Sequence, residues 1–369
     1  MIATGAGLAW AASGCMALTG RPGGPPAVPP GDIVAGLEVL AGRLRAAAGV
    51  VVDLPELLCG RARLLGLTRA GDRSAGGSAR LLPCADGWVV LNLARPSDHD
   101  AVPALVALLG GVDLASAVAA TEGRQVVVAA ALLGLPVAVP GNVARRPAWT
   151  TTPLGSPEGT GPSDARGALV VDLSSMWAGP LCAHLLGRQG YRVVKVEHPA
   201  RPDGARRGDQ RFWRALHAGH EARTIEFSAP QGRAELAALI GEAGVVIEGS
   251  RGRALDQHGL GPAQVPTRRG AVWVTVTGYG RASDRVAFGD DAAVAGGLVA
   301  WDDRGPMFCG DAMGDPIAGL SAAVAVTEAR AAGGGVHLDV SMAAAVAAAR
   351  SGGLSFPPAP PRRRPGAAG

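Results

Sequence analysis

The sequence predicts an α/β fold: an open parallel, Rossmann-like sheet flanked by helices, with a smaller α+β domain. Three observations carry this. Residues 168–199, ALVVDLSSMWAGPLCAHLLGRQGYRVVKVEHP, read strand, Gly-Pro turn, helix, glycine turn, strand. ALVVDL and YRVVKVE are short apolar runs, and Leu181, Leu185 and Leu186 between them repeat at helical spacing. Such a βαβ unit requires a parallel strand pair and a right-handed crossover. Two further strand patterns follow, AGVVIEG at 243–249 and AVWVTVTG at 271–278, the first preceded by a helical pattern from Pro230 to Ala243. Strands and helices alternating over 168–280 make an open sheet. Finally, Gly314-Asp315-Pro316-Ile317-Ala318-Gly319-Leu320 sets a lone carboxylate ahead of an apolar helix. Ligands of such sheets bind at the carboxyl ends of the strands. Here those ends are Ser174–Gly179 and Glu197–Pro199. The combination points to an enzyme.

The N-terminal part, residues 1–70, contains a partial repeat. GDIVAGL at 31–37 matches GDPIAGL at 314–320 in five of seven positions, so Asp32 corresponds to Asp315. Each copy follows a Gly/Ala-rich helical pattern, 9–18 or 291–300. Each precedes an Ala/Leu/Val helix and a short strand, 50–54 in the first copy and 336–340 in the second. Residues 71–149 form the small α+β segment. It begins with a glycine loop, Ala75-Gly76-Gly77-Ser78. Two strands follow around an Asp86-Gly87 turn, then alanine-rich helices over 98–145. Residues 150–167, rich in Pro, Gly, Ser and Thr, read as a linker before the main α/β domain, 168–350. The Pro/Arg-rich stretch 356–369 reads as a disordered tail.

Composition narrows the function. The chain has 369 residues, enough for two or three domains. Aromatic content of 4% disfavours a large aromatic ligand cage. The net charge of +4 comes from arginines scattered along the chain, not from one basic stripe, so a nucleic-acid partner is not expected. Lys195 is the only lysine. Five cysteines without a CxxC pair suggest a reduced, cytoplasmic setting and no metal site. The apolar run 2–18 lacks a preceding basic residue and is broken by glycines, unlike a signal peptide. The run 126–140 is too short and proline-broken to span a membrane, so no membrane partner is expected.

Several segments, in order, resemble the family III CoA-transferases, whose superfamily includes the α-methylacyl-CoA racemases. They are VVDLSSMWAGP, YRVVKVEHP, TIEFSAPQGRAELAALI, VVIEGSRGRALDQHGLG, VWVTVTGYG, FGDDAAVAGGL and GDPIAGLSAA. Residues 5–60 are similar to a second copy of the family's middle segment, and 74–96 to its glycine loop and small-domain strands. The resemblance implies CoA transfer from an acyl-CoA to a carboxylic acid through an aspartyl mixed anhydride on Asp315. It implies CoA and acyl-CoA as substrates without a permanent cofactor, and an interlocked homodimer. It places Gly76 and Gly77 over the intermediate. It places CoA contacts at Trp177, Ala178, His198, Gly249, Ser250, Arg251, Phe288 and Asp290, with Arg201 or Arg206 replacing an arginine usual at 198.

Other readings compete with these. An Asp before an apolar helix is more commonly an N-cap, Trp177 can be sheet-edge packing, and His198 a turn residue. An acyl-CoA racemase uses a Gly-His-Asp segment, which here reads Gly289-Asp290-Asp291 without the histidine. A catalytically degenerate partner subunit is a further alternative, because fold does not guarantee function. Between the two repeat aspartates, Asp315 is the expected nucleophile and Asp32 a helix cap.

Overall fold

The structure, a computed structural model, describes residues 5–143, 146–158, 166–249, 254–353 and 356–359. The N-terminal segment holds α1 (Gly5–Ala12), α2 (Ile33–Ala48) and α3 (Leu54–Leu65). It is followed by β1 (Ala79–Cys84), β2 (Gly87–Asn92), α4 (Pro96–Leu108), α5 (Leu114–Ala119), α6 (Gly123–Leu132) and β3 (Val137–Ala138). These strands make a small antiparallel sheet of order β1-β2-β3.

Next come β4 (Trp149–Pro153), β5 (Leu169–Asp172), α7 (Ala178–Gly187), β6 (Arg192–Glu197), α8 (Gln210–Leu216) and β7 (Glu221–Thr224). Then follow α9 (Pro230–Glu242), β8 (Val245–Glu248), β9 (Val272–Thr277) and α10 (Gly289–Ala295). A hairpin of β10 (Val299–Asp302) and β11 (Gly305–Phe308) leads to α11 (Gly314–Ala331), β12 (Val336–Ser341) and α12 (Met342–Arg350).

The fold is mixed α/β around one large, mostly parallel sheet of order β4-β12-β9-β8-β5-β6-β7. Every neighbouring pair in it is parallel except β4 with β12. β5 and β8 are buried along their whole length, as apolar strands covered on both faces must be. One face packs on α9. The other carries the main core, where α7 and α11 meet at close range. A Cβ on Gly319 would lie 2.7 Å from the Ala178 carbonyl oxygen. The N-terminal segment belongs to this same core. Leu37, Leu40 and Leu44 line one face of α2 and are fully buried with residues of α7, α11 and α12. Each such leucine contributes about 1.5–3 kcal/mol. The core between the two halves of the sequence is thus closed within one chain.

Four local expectations need correction. Residues 50–54 are not a strand. Val51 is exposed, and Asp53 instead accepts the Glu56 amide at 2.9 Å as the cap of α3, with Pro55 in the first turn. An Asp-Leu-Pro-Glu sequence starts a helix more readily than it continues a strand. The helical patterns at 9–18 and 291–300 both break. α1 stops at Ala12 before left-handed Gly14, and α10 stops at Ala295 before left-handed Gly297, after which residues 299–302 are β10. Residues 150–153 are not linker but part of the antiparallel edge strand β4. At the start of the expected tail, Phe356 is buried and stacks on Trp149 with centroids 6.0 Å apart. Residues 360–369 of that tail lie outside the described ones, as do 159–165 of the expected linker.

Candidate active site

The carboxyl ends of β5 and β6 are tied together by the chain's single lysine. Lys195 is buried on β6, 3.0 Å from Asp203 and 3.5 Å from Asp172, and its ammonium donates to the Ser174 carbonyl. Burial opposes its charge, but the Asp172 and Asp203 carboxylates outweigh it and raise the pKa above the usual value. Asp203 also accepts the Met176 amide at 2.9 Å. Met176 consequently holds a left-handed φ of 71°, a conformation uncommon for a non-glycine residue. The other described non-glycine residue with positive φ is Ala312, at 45°, three residues before Asp315. Its amide donates to Asp290 at 3.0 Å. Strained backbone on both sides of one carboxylate marks a site whose surroundings enforce it.

Asp315 lies in the first turn of α11, yet it does not cap that helix. No side chain caps it, and the Ala178 amide at the start of α7 donates toward the Asp315 carboxylate. Asp32, its counterpart in the repeat, behaves differently. It caps α2 by accepting the Ala35 amide at 3.2 Å. The same heptapeptide pattern therefore places one aspartate as a cap and frees the other.

Asp315 keeps a strip of surface open to a cavity but is otherwise ringed by protein. Burial raises its pKa to about 7, with Arg61 pulling it down and Asp290 pushing it up. Gly289 passes so close that a Cβ there would lie 2.3 Å from an Asp315 oxygen. Asp290 is buried and raised to about 6, by burial first and by Asp311 second. Asp311 is fully buried, and both its oxygens accept from Arg61 Nη1, at 2.6 and 2.7 Å. The Arg61 guanidinium also lies over Trp177 and Phe212, 5.6 and 5.8 Å from the ring centroids.

Three cavities meet around these residues. The first, about 470 Å³, lies at the ends of β5 and β6 and is lined by Ser175, His198, Arg201, Phe227 and His258 among others. His198 accepts the Ala200 amide on Nδ1 at 3.1 Å, which leaves Nε2 to donate to Ser228 at 3.2 Å. Its ring meets Phe227 edge-on at 4.8 Å, and Phe227 meets His258 edge-on at 5.5 Å. The second cavity joins Ser174, Ser175, Met176, Gly249 and Phe288 to Asp315. The third, about 400 Å³, opens on the other side of Asp315, with Gly76, Trp177, Phe288 and Asp290 in its wall. Shared residues, Ser175 between the first two and Met176 and Asp315 between the last two, make them one tract.

The residues expected for the site therefore gather, with differences of place. His198 faces the first cavity and Gly249 the second; Ala178, Phe288 and Asp315 line the second as well. Trp177 lies in the third, packed edge-on against Phe212 with centroids 5.2 Å apart. Gly76 lines this third cavity, and Gly77, at φ 83°, closes the turn by donating to the Ser74 carbonyl at 2.8 Å. Arg201 lines the first cavity, whereas Arg206 is occupied by Glu197 at 2.6 Å. Ser250 and Arg251 lie outside the described residues. The sequence reading missed Arg61, Asp311, Phe227 and His258. Among the described residues no cluster of His, Cys, Asp or Glu could hold a metal ion, and no helix is long and apolar enough to cross a membrane.

The buried carboxyls carry a pH signature. Asp291, beside Asp290, accepts the Asn92 and Phe288 groups at 2.9 Å each, and burial raises it to about 7. Its unfolded value is near 3.8. The folded state thus binds more protons between these values, and stability falls as pH rises through that window. Asp291→Asn should shrink the loss of stability between pH 5 and pH 8 by on the order of 2 kcal/mol. Urea unfolding at the two pH values measures it; an unchanged difference would show that Asp291 stays ionised in the fold.

Residues 166–355, more than half of the chain, match the sequence model of CoA-transferase family III, and the chain belongs to that family. A succinyl-CoA–D-citramalate CoA-transferase of Chloroflexus aurantiacus is 29% identical over 191 residues, covering 47% of this chain and 48% of that protein. The beta subunit of a succinyl-CoA–L-malate CoA-transferase from the same organism is 32% identical over 146 residues, 36% of each chain. The chain spans about half the length, or less, of these curated relatives. Among solved structures, a CAIB/BAIF family protein from Brucella suis aligns over 53% of this chain and 56% of its own, at 26% identity and a TM-score of 0.46.

Proposed function

We propose that this chain moves CoA from an acyl-CoA to a carboxylic acid through a mixed anhydride on Asp315. The observation that carries the reading is the position of Asp315. It is a partly open carboxylate that caps no helix, at the point of the tract where the second and third cavities meet. The Rossmann-like sheet end supplies the tract. The first cavity suits the adenine, between His198, Phe227 and His258, with Arg201 toward the phosphates. The second suits the pantetheine arm, past Gly249 and Phe288. The thioester then reaches Asp315, and the acyl group enters the third cavity.

The chemistry follows from the neighbours. With a pKa of about 7, Asp315 is substantially ionised at neutral pH. It attacks the thioester carbonyl; the C–S bond breaks, CoA leaves as thiolate, and the acyl–aspartyl anhydride forms. The thiolate then attacks the aspartyl carbonyl and releases the first acid as carboxylate. The acceptor carboxylate displaces CoA again by forming a second anhydride, and final thiolate attack on its acyl carbonyl regenerates Asp315. Gly76 lies beside the third cavity, where its amide can donate to the oxyanion, while the Gly76-Gly77 turn shields the anhydride from water. Asp290 stands where a racemase would need a histidine, so proton abstraction at the α-carbon is disfavoured.

The family resemblance also implies a homodimer without permanent cofactor, and the cysteine pattern suggests a cytoplasmic setting. Incubating the purified chain with a panel of acyl-CoAs and free acids tests the activity. Exchanged thioesters in the mass spectrum support it. Binding of acyl-CoA with no exchange across the panel would favour the degenerate-subunit reading instead.

A further inference from the structure

The third cavity also bears on which acyl groups the site accepts, an inference that rests on the transfer reading above. We propose that this cavity takes an uncharged acyl chain and excludes acyl groups that carry a second carboxylate.

Arg61 is the only cation among the described residues that line it. That charge is already balanced by a buried carboxylate, because Arg61 Nη1 donates to both oxygens of Asp311. The guanidinium is further held against the faces of Trp177 and Phe212, so it cannot swing to a ligand without losing both contacts. Beyond the nucleophile, the wall adds three more carboxylates, Asp290, Asp311 and Asp209, the last paired with Arg211 at 2.8 Å. Its remaining surface is largely apolar, from Trp177, Phe212, Phe288 and Leu65. Arg207 lies near Gly204 at the edge but is exposed to solvent, where a screened pair adds little.

A distal carboxylate entering this space would shed its water, find no unpaired buried cation, and face Asp290 and Asp311. Burying an unpaired charge is costly, and like-charge contact adds to it. A methyl-terminated chain of the same length meets aromatic and aliphatic walls instead. The contrast is with a succinyl group, which carries such a carboxylate.

Butyryl-CoA and succinyl-CoA differ only in that terminal group, and they are the probes. The full chain is titrated with each by calorimetry, and transfer to a common acceptor acid is followed by mass spectrometry. Butyryl-CoA should bind more tightly and be used with a kcat/KM at least about ten-fold higher. Asp311→Asn, which releases Arg61, should narrow that ratio by raising succinyl use. Equal or tighter binding of succinyl-CoA by the unaltered chain would overturn the inference. Tighter butyryl-CoA binding without any transfer would leave the inference standing and remove the transfer reading.

Discussion

Asp315→Ala should abolish CoA exchange, with a fall in kcat of about 10⁴-fold or more, as expected when a covalent nucleophile is removed. The fold should survive, because Asp315 caps no helix and the described structure shows it accepting only toward Ala178. Removing a buried carboxyl whose pKa is raised also relieves strain above pH 7, so stability at pH 8 should hold or rise. Asp315→Asn keeps the shape of the side chain and should be equally inactive, since a neutral amide does not attack a thioester. In the unaltered protein, kcat/KM should climb with pH through about 7 as Asp315 ionises. Retained exchange by Asp315→Ala, measured with a discontinuous mass-spectrometric assay, would remove it from the chemistry.

Lys195→Met should produce the largest loss of stability. The ammonium sits between Asp172 and Asp203, both fully buried, and also holds the Ser174 carbonyl. Deleting one member of a buried charge cluster leaves the others uncompensated, a cost of about 3–5 kcal/mol. The Lys195 pKa is raised in the fold, so its contribution is complete below its unfolded value of about 10.5 and is lost as pH rises through the folded value. Denaturant unfolding at pH 7 should show the full effect. Because Asp203 also fixes Met176, the variant should lose acyl-CoA affinity as well. The double variant Lys195→Met with Asp203→Asn, which removes one stranded carboxylate, should recover part of the stability. No recovery would mean that Asp203 is not stranded by loss of the lysine.

The parts legible in the sequence were those with local signals. ALVVDL and YRVVKVE are parallel strands whose valines, Val170, Val171, Val193, Val194 and Val196, are buried on both faces, and the glycine turn between helix and strand is a strong local signal. The main sheet and the position of Asp315 followed from such runs and from the family resemblance. What was not legible depends on distance along the chain. Arg61 is one arginine among many and pairs with a residue 250 positions away, so no spacing rule finds it. Phe227 meets His198, and His258 meets Phe227, only because β6, the segment after β7 and the segment after β8 converge. Lys195 stood out as the only lysine, but its role required knowing that Asp203 folds back beneath it. The repeat misled in one respect. Matching strands were expected after both copies, yet Asp53 with Pro55 starts a helix, whereas Asp339 stays within β12 and accepts the Arg281 amide at 2.9 Å.

The assignment of covalent chemistry to one aspartate has a direct measurement. The protein is mixed with an acyl-CoA substrate and quenched with hydroxylamine, which converts an aspartyl anhydride or thioester to a hydroxamate. Peptide mass spectrometry then maps the modified residue. The label should fall on Asp315 and be absent from Asp32, whose replacement by alanine should cost only the cap, about 0.5–2 kcal/mol. A hydroxamate on Asp32, or on Asp290 with Asp315 unmodified, would contradict the assignment.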